Sequence, residues 1–398
     1  MRIIFLLIFV MFFSSCARTE NAKQVSAERV SVEIIEISAE TAIHEIAVTI
    51  DPLRVRSEEI TASMDDRLLA SQVLISGIDG RGNLPGYMID ILKRYPPGGI
   101  MFFSYNLNTS NDDIKRLITE TESVINNEIG VPPFMAVDHE GGTVNRFLEG
   151  VADIPNASYY WDISQTAGRE EALSRLETAS FNAASVIKSL GVNMNFAPVA
   201  EYLMDDNRSF LRYRSYGPDP FFVYQASLAF TRGMIDAGVL CVVKHFPGSA
   251  GLDPHYSASV INIEKDELDT LIFPFIMLIN DGVRAIMAAH TAVPSIDGKI
   301  ASLSDVFMRD ILRNELGFEG IIISDDFLME AAGGLSAYQA AVSSIAAGSD
   351  MILVWPGDLA RTHAAIISAL NEGHLPRERL IDAVQRIIYE KLKMGLME

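Results

Sequence analysis

The ionisable residues of this chain gather where short apolar runs stop. Residues 241–255 read CVVKHFPGSAGLDPH: an apolar run ends on Lys244 and His245, passes a Pro-Gly turn, and reaches Asp253 and then His255. The same arrangement recurs along the chain. Asp138 closes FMAVD, Glu201 follows FAPVA, His290 and Thr291 close another run, and Ser324, Asp325 and Asp326 follow III. Carboxylates, imidazoles and an ammonium group set at the ends of rigid segments are the equipment of acid–base and nucleophilic chemistry on a polar substrate. A metal-dependent hydrolase uses the same residue types, but paired histidines after an early strand are missing, and His245, His255 and His290 lie on separate segments. Neither a metal nor a cofactor is expected.

The segments that must position these groups are regular. Apolar runs bounded by turn residues predict strands at 73–78, 99–103, 134–138, 194–199, 239–245, 285–290, 321–326 and 351–355. Between them lie longer stretches of helical period, such as NDDIKRLITETESVINNE and REEALSRLETASFNAASVIKSLG. This alternation predicts an α/β chain folded as a (β/α)₈ TIM barrel, one catalytic domain over residues 61–398, with a doubly wound open sheet as the alternative. Barrel enzymes build their sites at the carboxyl ends of the strands. The polar strand ends are therefore expected to converge on one face.

Composition narrows the function further. The 398 residues are 49% hydrophobic and 21% charged, with a formal net charge of −20. So acidic a chain, without a basic cluster, is unsuited to nucleic acid. Residues 1–16, MRIIFLLIFVMFFSSC, begin with a basic residue and run through an apolar stretch too short to span a bilayer, which predicts an export signal. FSSC resembles the bacterial lipobox, which implies lipidation at Cys16 and a membrane-anchored lipoprotein in the periplasm or at the cell surface; plain signal cleavage is the alternative. Residues 17–60 are polar and rich in Glu, Ala and Ser, and read as a tether. With Cys16 so used, Cys241 is the remaining thiol and no internal disulfide is expected.

In order along the chain, VDHEGGTVNRF, NFAPVAEY, RSYGPDP, KHFPG, ASLSDVFMRDILRNELGFEGIIISDDFLM and AGSDMILV resemble the successive signatures of glycoside hydrolase family 3, in its single-domain β-N-acetylhexosaminidase branch. The likeness extends from about residue 65 to the end. It implies a retaining hydrolase that removes terminal β-linked N-acetylglucosamine from glycans or peptidoglycan fragments; apart from the resemblance, a monomer is expected. By the same resemblance Asp325 is the nucleophile that forms a covalent glycosyl-enzyme, and His255, oriented by Asp253, is the acid/base. Asp326 competes with Asp325, but a continuing strand would turn its side chain to the opposite side. Asp138, Arg146, Arg214, Lys244 and His245 match the family's sugar-binding positions. Arg214 in RSYGPDP is chosen over Arg208, and Lys244 has a second reading as an ion-pair partner of Asp138 or Glu201. This sequence departs from the pattern: KHFPGSAGLDPH stands where KHFPGHG and a later DSH are usual, and His139 replaces a Gln. Two other readings stay open, a phosphorylase that uses phosphate in place of water, and a catalytically silent sugar-binding lipoprotein.

Overall fold

The computed structural model describes residues 51–148, 150–251, 259–327 and 335–398. Cys16, Asp253 and His255 lie outside the described residues.

Twelve strands are found among the described residues. In chain order they are β1 Leu74–Gly77, β2 Gly99–Phe102, β3 Phe134–Val137, β4 Met194–Asn195, β5 Leu240–Cys241, β6 Val243–Phe246, β7 Ser259–Val260, β8 Ala285–Ala288, β9 Thr291–Val293, β10 Asp297–Ile300, β11 Ile321–Ser324 and β12 Met351–Val354. Nine form one parallel sheet in the order β5-β4-β3-β2-β1-β12-β11-β8-β6. Its strands are apolar because both faces are covered, the inner by the barrel's own side chains and the outer by helices. β1, β2, β3, β8, β11 and β12 are buried at every position.

The sheet closes on itself through a break in one strand. β5 pairs with β4 through Leu240↔Met194 and Cys241↔Asn195, whereas β6 pairs with β8 through Val243↔Ile286 and Phe246↔Ala288. Only Val242 separates the two segments, and its N–H donates to the Asn195 carbonyl at 2.8 Å. β5 and β6 are thus two segments of one stave, and the nine strands make an eight-staved (β/α)₈ barrel. All eight strands predicted from the apolar runs are present; most are a little shorter than their runs, the fourth keeps only Met194–Asn195 of 194–199, and the fifth is split and reaches Phe246.

Helices cover the outside where the local sequence allows them to start and stop. The helix Asn111–Ile129 is capped by the Ser110 hydroxyl, which accepts from the Asp113 N–H at 3.2 Å, and it ends at Gly130 with φ 68°. The helix Pro220–Asp236 opens with Pro at its start and the Asp219 carboxylate accepting from the Phe221 N–H. It lies close against the helix Arg169–Ser189. A Cβ at Gly233 would come within 2.4 Å of the Glu177 carbonyl, so glycine sets that approach. A further helix, Pro52–Ala62, takes in the last residues of the expected tether, 52–60, and runs into the expected domain.

A second sheet was not foreseen. β7 runs parallel to β9, and β9 runs antiparallel to β10. Ser259 of β7 holds the turn after β6 by bonding the backbone N–H and carbonyl of Ala250 at 3.0 and 3.1 Å, and takes the Thr291 hydroxyl at 2.9 Å. Beneath this sheet Phe246 packs edge-on against Phe275 and Phe307. Cys241 is buried and unpaired in a disulfide, and burial pushes its thiol up to about 12.

Candidate active site

The carboxyl ends of the strands surround a cavity of about 290 Å³. Asp138 leaves the end of β3, Lys244 and His245 sit on β6, and Asp325 follows β11. Arg146 arrives on the loop after β3, and Arg214 on the short helix Arg212–Arg214 in the loop after β4. All six line the cavity, so every described residue proposed from the sequence as catalytic or sugar-binding reaches one place.

Four of these six groups, together with Glu140, form a largely buried charge cluster. The Lys244 ammonium donates to Asp138 Oδ1 at 2.9 Å and lies 2.7 Å from Glu140 Oε1. Arg214 holds Glu140 with both arms of its guanidinium, at 2.8 Å each, and Arg146 reaches Asp138 Oδ2 at 3.1 Å. Lys244 is 3% exposed and Glu140 8%, so neither charge would persist there alone. Burial by itself would raise the Asp138 carboxyl, but Lys244 and Arg146 outweigh it and hold the group below the usual carboxylate range. Glu140 is held well below that range in the same way by Arg214 and Lys244. Lys244 is correspondingly raised: burial opposes its charge, and Asp138 and Glu140 overcome the opposition. The cluster is therefore a fixed set of charges at neutral pH, able to offer both donors and acceptors to neighbouring hydroxyls.

Glu140 did not emerge as a site residue from the sequence, although it lies two residues beyond Asp138 in the quoted VDHEGG. Its signal was the spacing, since alternate residues leaving a strand face the same way. His139, between them, faces away. It is fully buried, its Nε2 lies 2.6 Å from the Ala152 carbonyl, its N–H donates to Asn195 Oδ1 at 2.9 Å, and it does not line the cavity.

His245 is backed by a carboxylate. Its Nδ1 lies 2.6 Å from Glu201 Oε1, and the other oxygen of Glu201 accepts the Ser249 hydroxyl. A carboxylate only accepts, so Nδ1 carries the proton and Nε2 is the nitrogen left for the cavity. Glu201 thus partners His245, while Lys244 pairs with Asp138 and Glu140.

Asp325 and Asp326 both line the cavity, which departs from the alternation expected of a continuing strand. The reason is that β11 ends at Ser324. Asp325 Oδ1 accepts the Asp326 N–H at 2.8 Å, and the Asp326 side chain accepts from the Trp355 indole N–H. His290 supports this turn from below, with Nε2 3.1 Å from the Asp326 carbonyl and Nδ1 2.7 Å from the Ser302 hydroxyl. Trp355 stacks on Phe103 with ring centroids 4.8 Å apart and planes within 3°.

Residues 83–389 match the family described as glycosyl hydrolase family 3 N terminal domain. A beta-hexosaminidase of Methylococcus capsulatus is 36% identical over 265 residues, which cover 65% of this chain and 75% of that relative. A beta-hexosaminidase of Hydrogenovibrio crunogenus is 32% identical over 300 residues, 71% of this chain and 82% of the relative. In structure the chain is similar to a glycoside hydrolase family 3 beta-N-acetylglucosaminidase from a Paenibacillus species, with TM-score 0.78 and 28% identity over 84% of this chain; it spans 63% of that longer protein. It is also similar to NagZ from Neisseria gonorrhoeae in complex with N-trifluoroacetyl-D-glucosamine, with TM-score 0.68 and 26% identity over 82% of this chain and 94% of that one. An eight-staved barrel with its charges at the carboxyl ends of the strands, matched over most of its length, makes the chain a member of glycosyl hydrolase family 3.

Proposed function

We propose that this glycoside hydrolase is a retaining exo-β-N-acetylglucosaminidase that releases terminal β-linked N-acetylglucosamine from glycans or peptidoglycan fragments. The observation that carries the proposal is one cavity in which Asp325 faces the Asp138–Lys244–Glu140–Arg214 cluster. The cluster, with Arg146 and Nε2 of His245, suits a ring of sugar hydroxyls, and the names of the relatives point to the N-acetylated sugar.

In the first step the Asp325 carboxylate attacks the anomeric carbon. The bond to the glycosidic oxygen breaks, and that oxygen takes a proton from His255 and departs as an alcohol. In the second, water attacks the same carbon, His255 takes the water's proton, and the Asp325 ester is released. Asp253 would hold the imidazole in the required tautomer. No cofactor enters either step. We propose further that the chain is exported, anchored through a lipid on Cys16, and active as a monomer.

The test is hydrolysis of a chromogenic β-N-acetylglucosaminide by the wild type, Asp325→Ala and His255→Ala. Activity that vanishes in the first variant and falls sharply in the second is expected, with N-acetylglucosamine as the product whether or not phosphate is present. A folded wild type that binds N-acetylglucosamine without turnover would overturn the proposal. Labelling with an alkynyl fatty acid, lost in Cys16→Ser, tests the anchor.

A further inference from the structure

The cavity does not end at the charge cluster. Beyond Trp355 lies a second, more open groove of about 520 Å³, lined by Asp79, Tyr105, Trp355 and Asp358 among others. The two spaces share Trp355, and Phe103, in the catalytic cavity, joins them through a stack of three rings. Tyr105 lies over Phe103 with centroids 5.7 Å apart and planes within 15°, and Phe103 lies over Trp355. The rings are fixed from behind. The Trp355 N–H is given to Asp326, beside Asp325, and the Tyr105 hydroxyl donates to the Ile78 carbonyl at 3.0 Å. Tyr105 is nonetheless 38% exposed, and Tyr87, which donates to Asp79 Oδ2 at 2.7 Å, is 54% exposed. Phe103 uses its ring faces on its two neighbours, so the groove's aromatic wall is Trp355 and Tyr105, and an aromatic ring held in place there suits the apolar face of a sugar ring.

The polar groups of the groove have one sign. Asp79 and Asp358 are acceptors, and among the described residues that line the groove there is neither lysine nor arginine. At its edge Arg81 donates Nε–H to the Tyr105 carbonyl at 2.8 Å, and Arg361, with most of its side chain in solvent, forms a long ion pair with Asp358 at 3.9 Å, which offsets little of that carboxylate's charge. Burial, and after it the Asp79 charge, raise the Tyr105 phenol to about 12, consistent with a carboxylate close to the ring. Acceptors alone receive hydroxyl, amide N–H or ammonium donors, and they repel a carboxylate.

We propose that this groove is the leaving-group subsite, that its aromatic wall takes the second sugar of the substrate, and that Asp79 and Asp358 select a neutral or amine-bearing sugar there over one carrying a carboxylic acid. This rests on the glycosidase reading above and narrows its substrate from glycans or peptidoglycan fragments to those whose second sugar is uncharged or cationic.

The experiment compares three substrates: β-N-acetylglucosaminyl fluoride, whose leaving group is a single atom, di-N-acetylchitobiose, and N-acetylglucosamine β-linked to N-acetylmuramic acid, which carries a carboxylate. Tyr105→Ala is expected to lower kcat/KM on di-N-acetylchitobiose about tenfold while the fluoride changes less than about twofold. The wild type should prefer di-N-acetylchitobiose to the acidic disaccharide, and Asp79→Asn with Asp358→Asn should narrow that preference several-fold. An equal loss on the fluoride, no loss on di-N-acetylchitobiose, or a preference indifferent to the two Asn substitutions would overturn the assignment. If the wild type turns over none of the three, the glycosidase reading fails, and the subsite is decided by binding. Trp355 is one of two tryptophans, so in Trp161→Phe its fluorescence reports the groove. A response to di-N-acetylchitobiose that Tyr105→Ala weakens supports the subsite, and silence refutes it.

Discussion

The two ends of the barrel use the same chemical material for opposite purposes. At the carboxyl end, Asp138 and Glu140 are paired with Lys244, Arg146 and Arg214 around an open cavity. At the amino end Asp350, immediately before β12, is wholly buried, with Arg379 at 2.8 Å and Arg386 at 3.5 Å on one oxygen and Arg313 on the other, which also accepts the Ile322 N–H at 2.9 Å. Burial would raise the Asp350 carboxyl, but the three guanidinium groups prevail and lower it. Arg313 shows the cost of crowding them, since burial pushes it down to about 10 despite Asp350. A buried ion cluster with no free face can only join elements, here β11, β12 and two helices. One that borders a cavity has groups left over for a ligand. Position along the strand, not residue type, separates structure from function.

This contrast can be broken from either end. The largest effect is expected at Asp325. Asp325→Ala should lower kcat by at least about 10⁴-fold in steady-state assays while thermal unfolding is nearly unchanged. Asp350→Ala should do the reverse, destabilising the fold by about 3–5 kcal/mol in urea titrations, because three guanidinium groups lose their partner, with kcat/KM of the folded fraction intact. If Asp350→Ala impaired catalysis without loss of stability, the division between the ends would be wrong. Asp138→Asn should again fall on the catalytic side, with kcat/KM down about 10²-fold.

Lys391 sharpens the amino-end case through pH. It is fully buried, its Nζ donates to Gln72 Oε1 at 3.1 Å, and burial pushes it down to about 7 from an ordinary 10.5. Between those values the unfolded chain holds a proton that the folded one has released, so stability should rise with pH across this window. Below about 7 both states are protonated and the burial penalty is at its full value. Lys391→Met should therefore gain most over the wild type below pH 7 and lose that advantage toward pH 10, as urea midpoints would register. A pH-independent difference would place the ammonium group in a more polar setting than the structure gives it. The smallest effect is expected for Ser249→Ala, which frees one oxygen of Glu201 and leaves His245 held by the other. Activity should fall by about threefold to tenfold, the equivalent of about 1 kcal/mol for one hydrogen bond.

The sequence revealed the barrel because its staves are buried on both faces, so each appeared as an unbroken apolar run ending at a polar residue. The same rule located Asp138, Lys244, His245 and Asp325, whose places depend on nothing beyond the strand end. It failed where geometry depended on where a strand stops. Asp326 was turned away from the cavity on the premise that β11 continued, and β11 ends two residues earlier. Glu140 was overlooked because its role is set by Arg214 on a different loop, 74 residues away in sequence. Trp355 read as the last residue of an apolar strand, and only its neighbours Phe103 and Asp326 distinguish it from core. The small sheet of β7, β9 and β10 left no pattern because its strands are short and β10 is partly exposed.

The interruption at Val242 makes the fifth stave the seam of the barrel. Its first half bonds β4, and its second half bonds β8 on one side and, through the Lys244 N–H to the Pro198 carbonyl at 3.0 Å and the Ala200 N–H to the Lys244 carbonyl at 2.7 Å, the end of the fourth stave on the other. The half that completes the ring is the one bearing Lys244 and His245. Joining the two edges therefore also brings Lys244 and His245 to the other groups that line the cavity. Ligand retention would serve as a direct gauge of ring closure, and a designer who wished to open the barrel reversibly would cut at this stave and lose recognition and architecture together.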